Sequence, residues 1–179
     1  MNIRRVAGAW LLFLASTLCA YGQDARLSDA QIVGILSVAN QAEVAAGQIA
    51  LRRTRSRSVQ SFAVRVVDEN RQVYQETSDM LRRLGANAQR SDLSDTLTRQ
   101  SRDDLAMLDE ADDYSFDQTY LAREVDFLGR FVKTLDGFIR TTTNPDVKTL
   151  LVRSRPAFTF HLDQAHRLLL VLDRPGFGR

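Results

Sequence analysis

The sequence predicts an all-α fold in which four long helices pack side by side and a long crossover joins the second helix to the third. Apolar residues recur at spacings of three and four along four separate stretches, which is the periodicity of a helix with one buried face. Alternating runs typical of strands are short, and glycines do not cluster into turn-rich segments. A chain of 179 residues is long enough to bury one hydrophobic core without disulfides or structural metals.

Capping signals place the boundaries of the first two long helices. The first helix begins at a capping box of Ser28 and Gln31, in which each side chain accepts a hydrogen bond from the other residue's free amide, and it ends near Thr54. The second helix covers 58–84, and Gly85 is suited to the left-handed backbone that closes many helices.

The remaining chain predicts a crossover followed by two further long helices. The segment 86–114 is more polar and predicts a shorter, less buried helix. The third long helix begins at a capping box at Ser115 and ends near Thr142. The fourth opens at Pro145, since proline suits the first helical turn, and it is expected to kink at Pro156.

The lengths of the connections predict how the long helices are arranged. Short links near 55–57 and 143–144 make the first pair and the last pair antiparallel, because so few residues can only turn the chain back on itself. The crossover of roughly 30 residues is long enough to travel the length of the bundle. Two hairpins joined by one long crossover predict a ferritin-like four-helix bundle.

Each long helix carries one polar side chain on the face that its apolar residues assign to the core. These residues are Glu43, Asn70, Glu124 and His161. Buried carboxylates and imidazoles need partners, so the four are expected to form an interior network of hydrogen bonds. The alternative is a metal site in which Glu43, Glu124 and His161 bind one divalent ion, since carboxylate oxygens and imidazole nitrogens are suitable ligands.

Several enzyme classes have no anchor residues in this sequence. A di-iron centre uses two Glu-x-x-His pairs, whereas the chain has no such pair and only two histidines, His161 and His166. Motifs such as Gly-x-Ser-x-Gly and glycine-rich phosphate loops do not occur either. We therefore assign no catalytic residues. The acidic residues of the crossover, among them Asp103 and Asp104, are interpreted as a solvated face.

The segment 1–22 predicts a cleavable signal peptide. Two arginines precede an apolar run that is too short to span a membrane, and Ala20 and Gly22 supply the small residues that cleavage requires. Cleavage would leave 23–179 as the helical domain and place it in the periplasm or at the outer membrane. The single cysteine, Cys19, would be removed, which excludes disulfides and thiolate sites from the mature chain.

The predicted mature chain carries equal numbers of basic and acidic residues, because the signal segment contains Arg4 and Arg5 and no acid. Its formal charge is then zero, and no stretch interleaves cations with aromatic residues as binders of single-stranded nucleic acid do. Nucleic acid is therefore excluded as a partner. An envelope protein, a membrane surface and a second copy of the chain all stay open as partners.

A set of short motifs occurs together over residues 28–172. They are Asn40-x-x-Glu43, Ser61-Phe62-Ala63 followed by Val66-Val67-Asp68, Phe116-Asp117 with Tyr120-Leu121 and Val125, and Pro156 placed five residues before His161-Leu162. Together they resemble a family of exported bacterial proteins that share an uncharacterised domain, ferritin-like in fold, and are often labelled predicted outer membrane proteins. The resemblance implies a ferritin-like bundle, and it implies no activity, because the family has no settled one.

The family resemblance also bears on the interior polar residues. Glu43 and His161 match the family pattern. The family typically carries two further histidines, one where this chain has Asn70 and one where Leu128 or Phe127 stands. The polar set of this chain is therefore a reduced version of the family's set.

These observations predict an exported helical bundle that is not an enzyme, holds no cofactor and has a structural or interaction role in the cell envelope, including a stress-related one. The alternative is a metal-binding or redox relative of ferritin. It would hold one divalent ion at the reduced site formed by Glu43, Glu124 and His161.

Overall fold

The computed structural model describes residues 26–172, and within them the chain is all-helical, with five helices and no strand. The helices are α1 (Asp29–Arg53), α2 (Arg57–Arg83), α3 (Asp92–Glu110), α4 (Phe116–Thr141) and α5 (Pro145–Leu172). The all-α prediction is confirmed. The predicted signal segment 1–22 lies outside the described residues. None of these five helices is long and apolar enough to cross a membrane.

Side-chain and glycine caps form at the predicted helix ends. Ser28 N–H donates to Gln31 Oε1 at 2.9 Å and Gln31 N–H donates to Ser28 Oγ at 3.2 Å, which is the predicted capping box. Gly85 has a φ of 61°, the left-handed conformation that glycine adopts without strain. Asn144 Oδ1 accepts the free Val147 N–H at 3.2 Å at the start of α5.

The predicted capping box at Ser115 is wrong. Ser115 precedes α4 but makes no side-chain cap, because its backbone has helical angles (φ −94°, ψ −7°) rather than the extended conformation that aims a capping oxygen at the free amides. Its hydroxyl instead donates to Asp112 Oδ2 at 2.7 Å. Asp112 Oδ1 also accepts the backbone N–H groups of Tyr114 and Ser115 at 2.9 and 3.0 Å. Asp112 therefore holds a tight turn between α3 and α4, and the serine is used within that turn.

The long helices pack in neighbouring pairs. α1 packs mainly on α2, and α4 packs mainly on α5, while α2 contacts α5 and α1 contacts α4. The links 54–56 and 142–144 are only three residues long, so each pair is antiparallel. α5 stays helical from end to end although Pro156 lies inside it.

A gap divides the apolar core into two clusters. On α1 the first cluster ends at Ala42 and the second begins at Ala46. On α4 the second cluster ends at Leu121 and the first begins at Phe127. The same break occurs on α2 and α5. The polar residues that the sequence assigns to the interior lie in this gap, so the bundle consists of an apolar layer, a polar layer and a second apolar layer.

The crossover helix α3 packs on α1 and also contacts α4. Polar side chains of α1 hold both of its ends. Gln31 Nε2 donates to Arg90 O at 3.0 Å before α3 begins. At the other end Arg53 Nη1 donates to Leu108 O at 2.6 Å and to Asp109 O at 3.1 Å, which satisfies carbonyls that a helix end leaves free.

Gly47 lies where α1 and α2 approach each other closely. A Cβ on Gly47 would lie 2.8 Å from Val67 Cγ2, and a buried valine has few alternative rotamers. We expect Gly47→Ala to lower the free energy of unfolding by about 1 kcal/mol. Gly129→Ala is the matched control, because nothing lies within 4 Å of its Cβ position, and it should raise stability by about 0.5–1 kcal/mol. Urea unfolding of both variants measures the difference, and a stabilising Gly47→Ala would contradict it.

Candidate functional site

The candidate functional site is the polar layer between the two apolar clusters. All four residues predicted for the interior lie in it. Glu43, Glu124 and His161 are 0% exposed and Asn70 is 2% exposed. Ionisable side chains at this depth cost free energy unless other groups compensate them, so their partners decide what the layer does.

A buried arginine links the two interior glutamates. Arg123 lies on α4 and its side chain is only 2% exposed. Arg123 Nη1 donates to Glu43 Oε1 on α1 and, at 2.9 Å, to Glu124 Oε1 on its own helix. The guanidinium therefore occupies the space between the two carboxylates. We call Glu43, Arg123 and Glu124 the ion-pair centre.

Two further contacts orient the guanidinium of Arg123. Its Nε donates to Asp104 Oδ2 on α3 at 3.1 Å, and its Cζ lies 4.4 Å from the centroid of the Phe127 ring. The Asp104 side chain is 24% exposed, so the ion-pair centre reaches the protein surface at this carboxylate. The interpretation of Asp104 as part of a solvated acidic face is therefore wrong, because this side chain pairs with a buried cation.

Burial and neighbouring charges set the protonation of the ion-pair centre. Burial alone would lower the pKa of Arg123, but the charges of Glu43 and Glu124 outweigh it and raise that pKa, so the guanidinium stays charged. Burial raises the pKa of Glu124 well above its usual value, and the charge of Glu43 raises it further, while Arg123 opposes both. Glu124 therefore keeps its proton to a higher pH than an exposed glutamate.

His161 pairs with a glutamate that the sequence analysis did not identify. Its Nε2 lies 2.9 Å from Glu69 Oε2 on α2, and the Glu69 side chain is 37% exposed. The Phe62 ring meets the imidazole edge-on at 6.2 Å between centroids. Burial lowers the pKa of His161, although Glu69 and Glu43 partly oppose this. In the neutral form Nε2–H donates to Glu69, and Nδ1 carries no proton.

Asn70 in the polar layer, and Asn40 beside it on α1, bond to their own helices. Asn70 Nδ2 donates to Val66 O at 2.8 Å, and Asn40 Nδ2 donates to Leu36 O at 2.7 Å. Of the four predicted residues, the structure thus brings Glu43 and Glu124 together at Arg123. It places His161 with Glu69 and leaves Asn70 bonded to the backbone.

The polar layer contains buried atoms without hydrogen-bond partners, but its carboxylate and imidazole groups are not clustered as metal ligands are. Within residues 26–172, no three His, Cys, Asp or Glu side chains are grouped so that they could hold a metal ion. Among the buried atoms of this part of the chain that have no hydrogen-bond partner, four belong to the polar layer, namely Glu43 Oε2, Arg123 Nη2, Glu124 Oε2 and His161 Nδ1. Metal binding by Glu43, Glu124 and His161 stays a prediction.

Arg123 was not among the predicted site residues, although helical spacing contains a signal for it. Arg123 follows Tyr120 by three residues and precedes Phe127 by four, which places it on the same face as these two buried aromatics. No comparable signal marks Asp104 or Glu69, because both lie on partly exposed faces of their helices.

Comparison with known proteins identifies a family. The family model described as "Domain of unknown function (DUF4142)" matches residues 17–168, which include α1 to α4 and most of α5. No curated protein and no solved structure matches the chain. Because the matched segment covers far more than half of the sequence, the chain belongs to the DUF4142 family, whose domain has no known function.

Proposed function

We propose that this chain is an exported helical-bundle protein of the periplasm or outer membrane, ferritin-like in arrangement and not an enzyme, in which the ion-pair centre has a structural role. The position of Arg123 carries the proposal. Its Nη1 bonds to Oε1 of both Glu43 and Glu124, and a divalent ion bridging two carboxylates would take the same place. The protein's own cation therefore takes the place that a metal would take. Its single positive charge balances one buried carboxylate, and the raised pKa of Glu124 favours the protonated form of the other.

The contacts of Arg123 also suggest what the structural role is. The guanidinium joins Glu43 on α1 and Asp104 on α3 to α4, so it fixes the register of three helices. Sliding α1 or α4 by one turn would leave the buried Glu43 carboxylate without Arg123, which costs several kcal/mol. The apolar layers above and below tolerate such shifts better, because apolar contacts are less directional.

Metal analysis tests the structural role of the ion-pair centre. Protein purified from the periplasm without a His tag should contain no stoichiometric zinc, iron or manganese. Its melting temperature should change by no more than about 2 °C when EDTA is added, because a metal that does not bind the folded state cannot stabilise it. One equivalent of metal, together with a large drop in melting temperature in EDTA, would contradict the proposal.

The same periplasmic preparation tests export. The intact mass should correspond to a chain that begins at Gln23, since Ala20 and Gly22 satisfy the small-residue requirement for cleavage. Cell fractionation should recover this species outside the cytoplasm. Retention of residues 1–22, or a lipid attached to Cys19, would contradict the predicted processing.

A second candidate function is metal binding at the reduced site of Glu43, Glu124 and His161. The observation in its favour is that Glu43 Oε2, Glu124 Oε2 and His161 Nδ1 are all buried without a hydrogen-bond partner. One divalent ion would need these three atoms to converge and Arg123 to move away. Stoichiometric metal in the preparation described above would favour this candidate.

A further inference from the structure

The ion-pair centre is covered on one side by the crossover helix. Glu43 and Glu124 have side chains that are 0% exposed, and Arg123 is 2% exposed. Asp104 of α3 is 24% exposed and bonds to Arg123 Nε. On the side of α3, Asp104 is therefore the residue through which the ion-pair centre meets solvent.

The apolar contacts that hold α3 are few compared with those of the long helices. Only three of its 19 residues are buried, namely Ser94, Leu97 and Leu108. By comparison, 11 of the 26 residues of α4 are buried. Segments with little buried apolar surface open at a lower free energy than the rest of a protein, so α3 is the helix that should open first.

Because few apolar residues of α3 are buried, hydrogen bonds and an ion pair contribute much of its attachment to the long helices. Its ends are held from α1, by Gln31 on Arg90 O and by Arg53 on the carbonyls of Leu108 and Asp109. Near its middle, the Asp104 carboxylate holds it to the buried guanidinium of Arg123. Hydrogen bonds between charged groups are stronger than neutral ones, and this one is partly shielded from water.

We propose that α3 is a cover that opens independently of the four long helices and admits small polar solutes to the ion-pair centre, with the Asp104–Arg123 pair as its latch. This inference concerns the same centre to which we assign a structural role, and it rests on that centre being balanced by Arg123. A solute that competes for Arg123 would hold the cover open.

Hydrogen exchange of the full mature chain tests the cover. In the wild type, amides of 92–110 should exchange faster than those of α1, α2, α4 and α5. Asp104→Asn should speed exchange in α3 by about tenfold, because it removes the carboxylate charge that strengthens the hydrogen bond from Arg123 Nε, and should leave the long helices nearly unchanged. Asp103→Asn is the matched control, since it removes the same charge one residue earlier, at an exposed position.

Chemical modification tests access to the centre itself. Phenylglyoxal, a small reagent specific for guanidinium groups, should modify Arg123 slowly in the wild type and about tenfold faster in Asp104→Asn, in step with exchange of the α3 amides. Peptide mapping distinguishes Arg123 from the exposed arginines. Three results would overturn this proposal. They are uniform exchange in all five helices, equal effects of Asp103→Asn and Asp104→Asn, and modification of Arg123 only when the whole protein unfolds. None of these results depends on whether the protein binds metal, so this inference and the structural role fail separately.

Discussion

Replacing Arg123 with methionine should lower the free energy of unfolding by roughly 3–5 kcal/mol. Methionine keeps much of the side-chain volume, but it removes the cation that bonds to Glu43 and Glu124 and that lies over the Phe127 ring. Two fully buried carboxyl groups would then lose their compensating charge, and the deep burial prevents water from replacing it. Urea unfolding at pH 7, followed by circular dichroism, measures the loss.

Two comparisons separate the loss of the buried charge from the loss of an arginine as such. Arg130→Met removes an exposed arginine from the same helix, where it pairs with Asp126, and should cost less than about 0.5 kcal/mol. The triple variant with Arg123→Met, Glu43→Gln and Glu124→Gln removes the buried charges together and should recover most of the stability. An Arg123→Met variant as stable as Arg130→Met would contradict a structural ion-pair centre.

The helices were predictable because their signals are local. Ser28 and Gln31 lie three residues apart and cap each other regardless of the rest of the fold, and Gly85 needs only its own backbone conformation. Ser115 shows the limit of such signals. A serine caps a helix only when its backbone is extended, and here the turn held by Asp112, three residues earlier, leaves Ser115 with helical backbone angles.

The burial of the polar residues was predictable for the same reason, but their partners were not. Helical spacing puts Glu43 and His161 on inward faces, yet it does not say which residue of another helix lies opposite. Glu43 and Arg123 are 80 positions apart, and His161 and Glu69 are 92 apart. Such pairs depend on the axial register of the helices, which is set by packing and loop geometry. Arginine is also usually assigned to the surface, since its charged end seeks water.

His161→Leu should lower the free energy of unfolding by roughly 1–3 kcal/mol, whereas His161→Gln should have a much smaller effect. The imidazole is fully buried and donates to Glu69 Oε2 at 2.9 Å. A glutamine amide can donate to the same oxygen. Leucine cannot, and it would leave a partly buried carboxylate facing an apolar group. Thermal and urea unfolding of both variants give the ranking, and His166→Gln serves as the control because His166 is exposed.

The same variants distinguish the structural role from metal binding, because the two hypotheses predict different orders of zinc affinity and stability for them. If Glu43, Glu124 and His161 held a divalent ion, His161→Gln and His161→Leu would weaken zinc binding about equally, since neither side chain supplies a ligand nitrogen. Asn70→His, which introduces a histidine typical of the family that the sequence resembles, would then raise the affinity for zinc. In the structural reading, titration with zinc gives no stoichiometric binding to the wild type, and stability alone distinguishes glutamine from leucine. Stoichiometric zinc binding that both His161 variants abolish would overturn the structural reading.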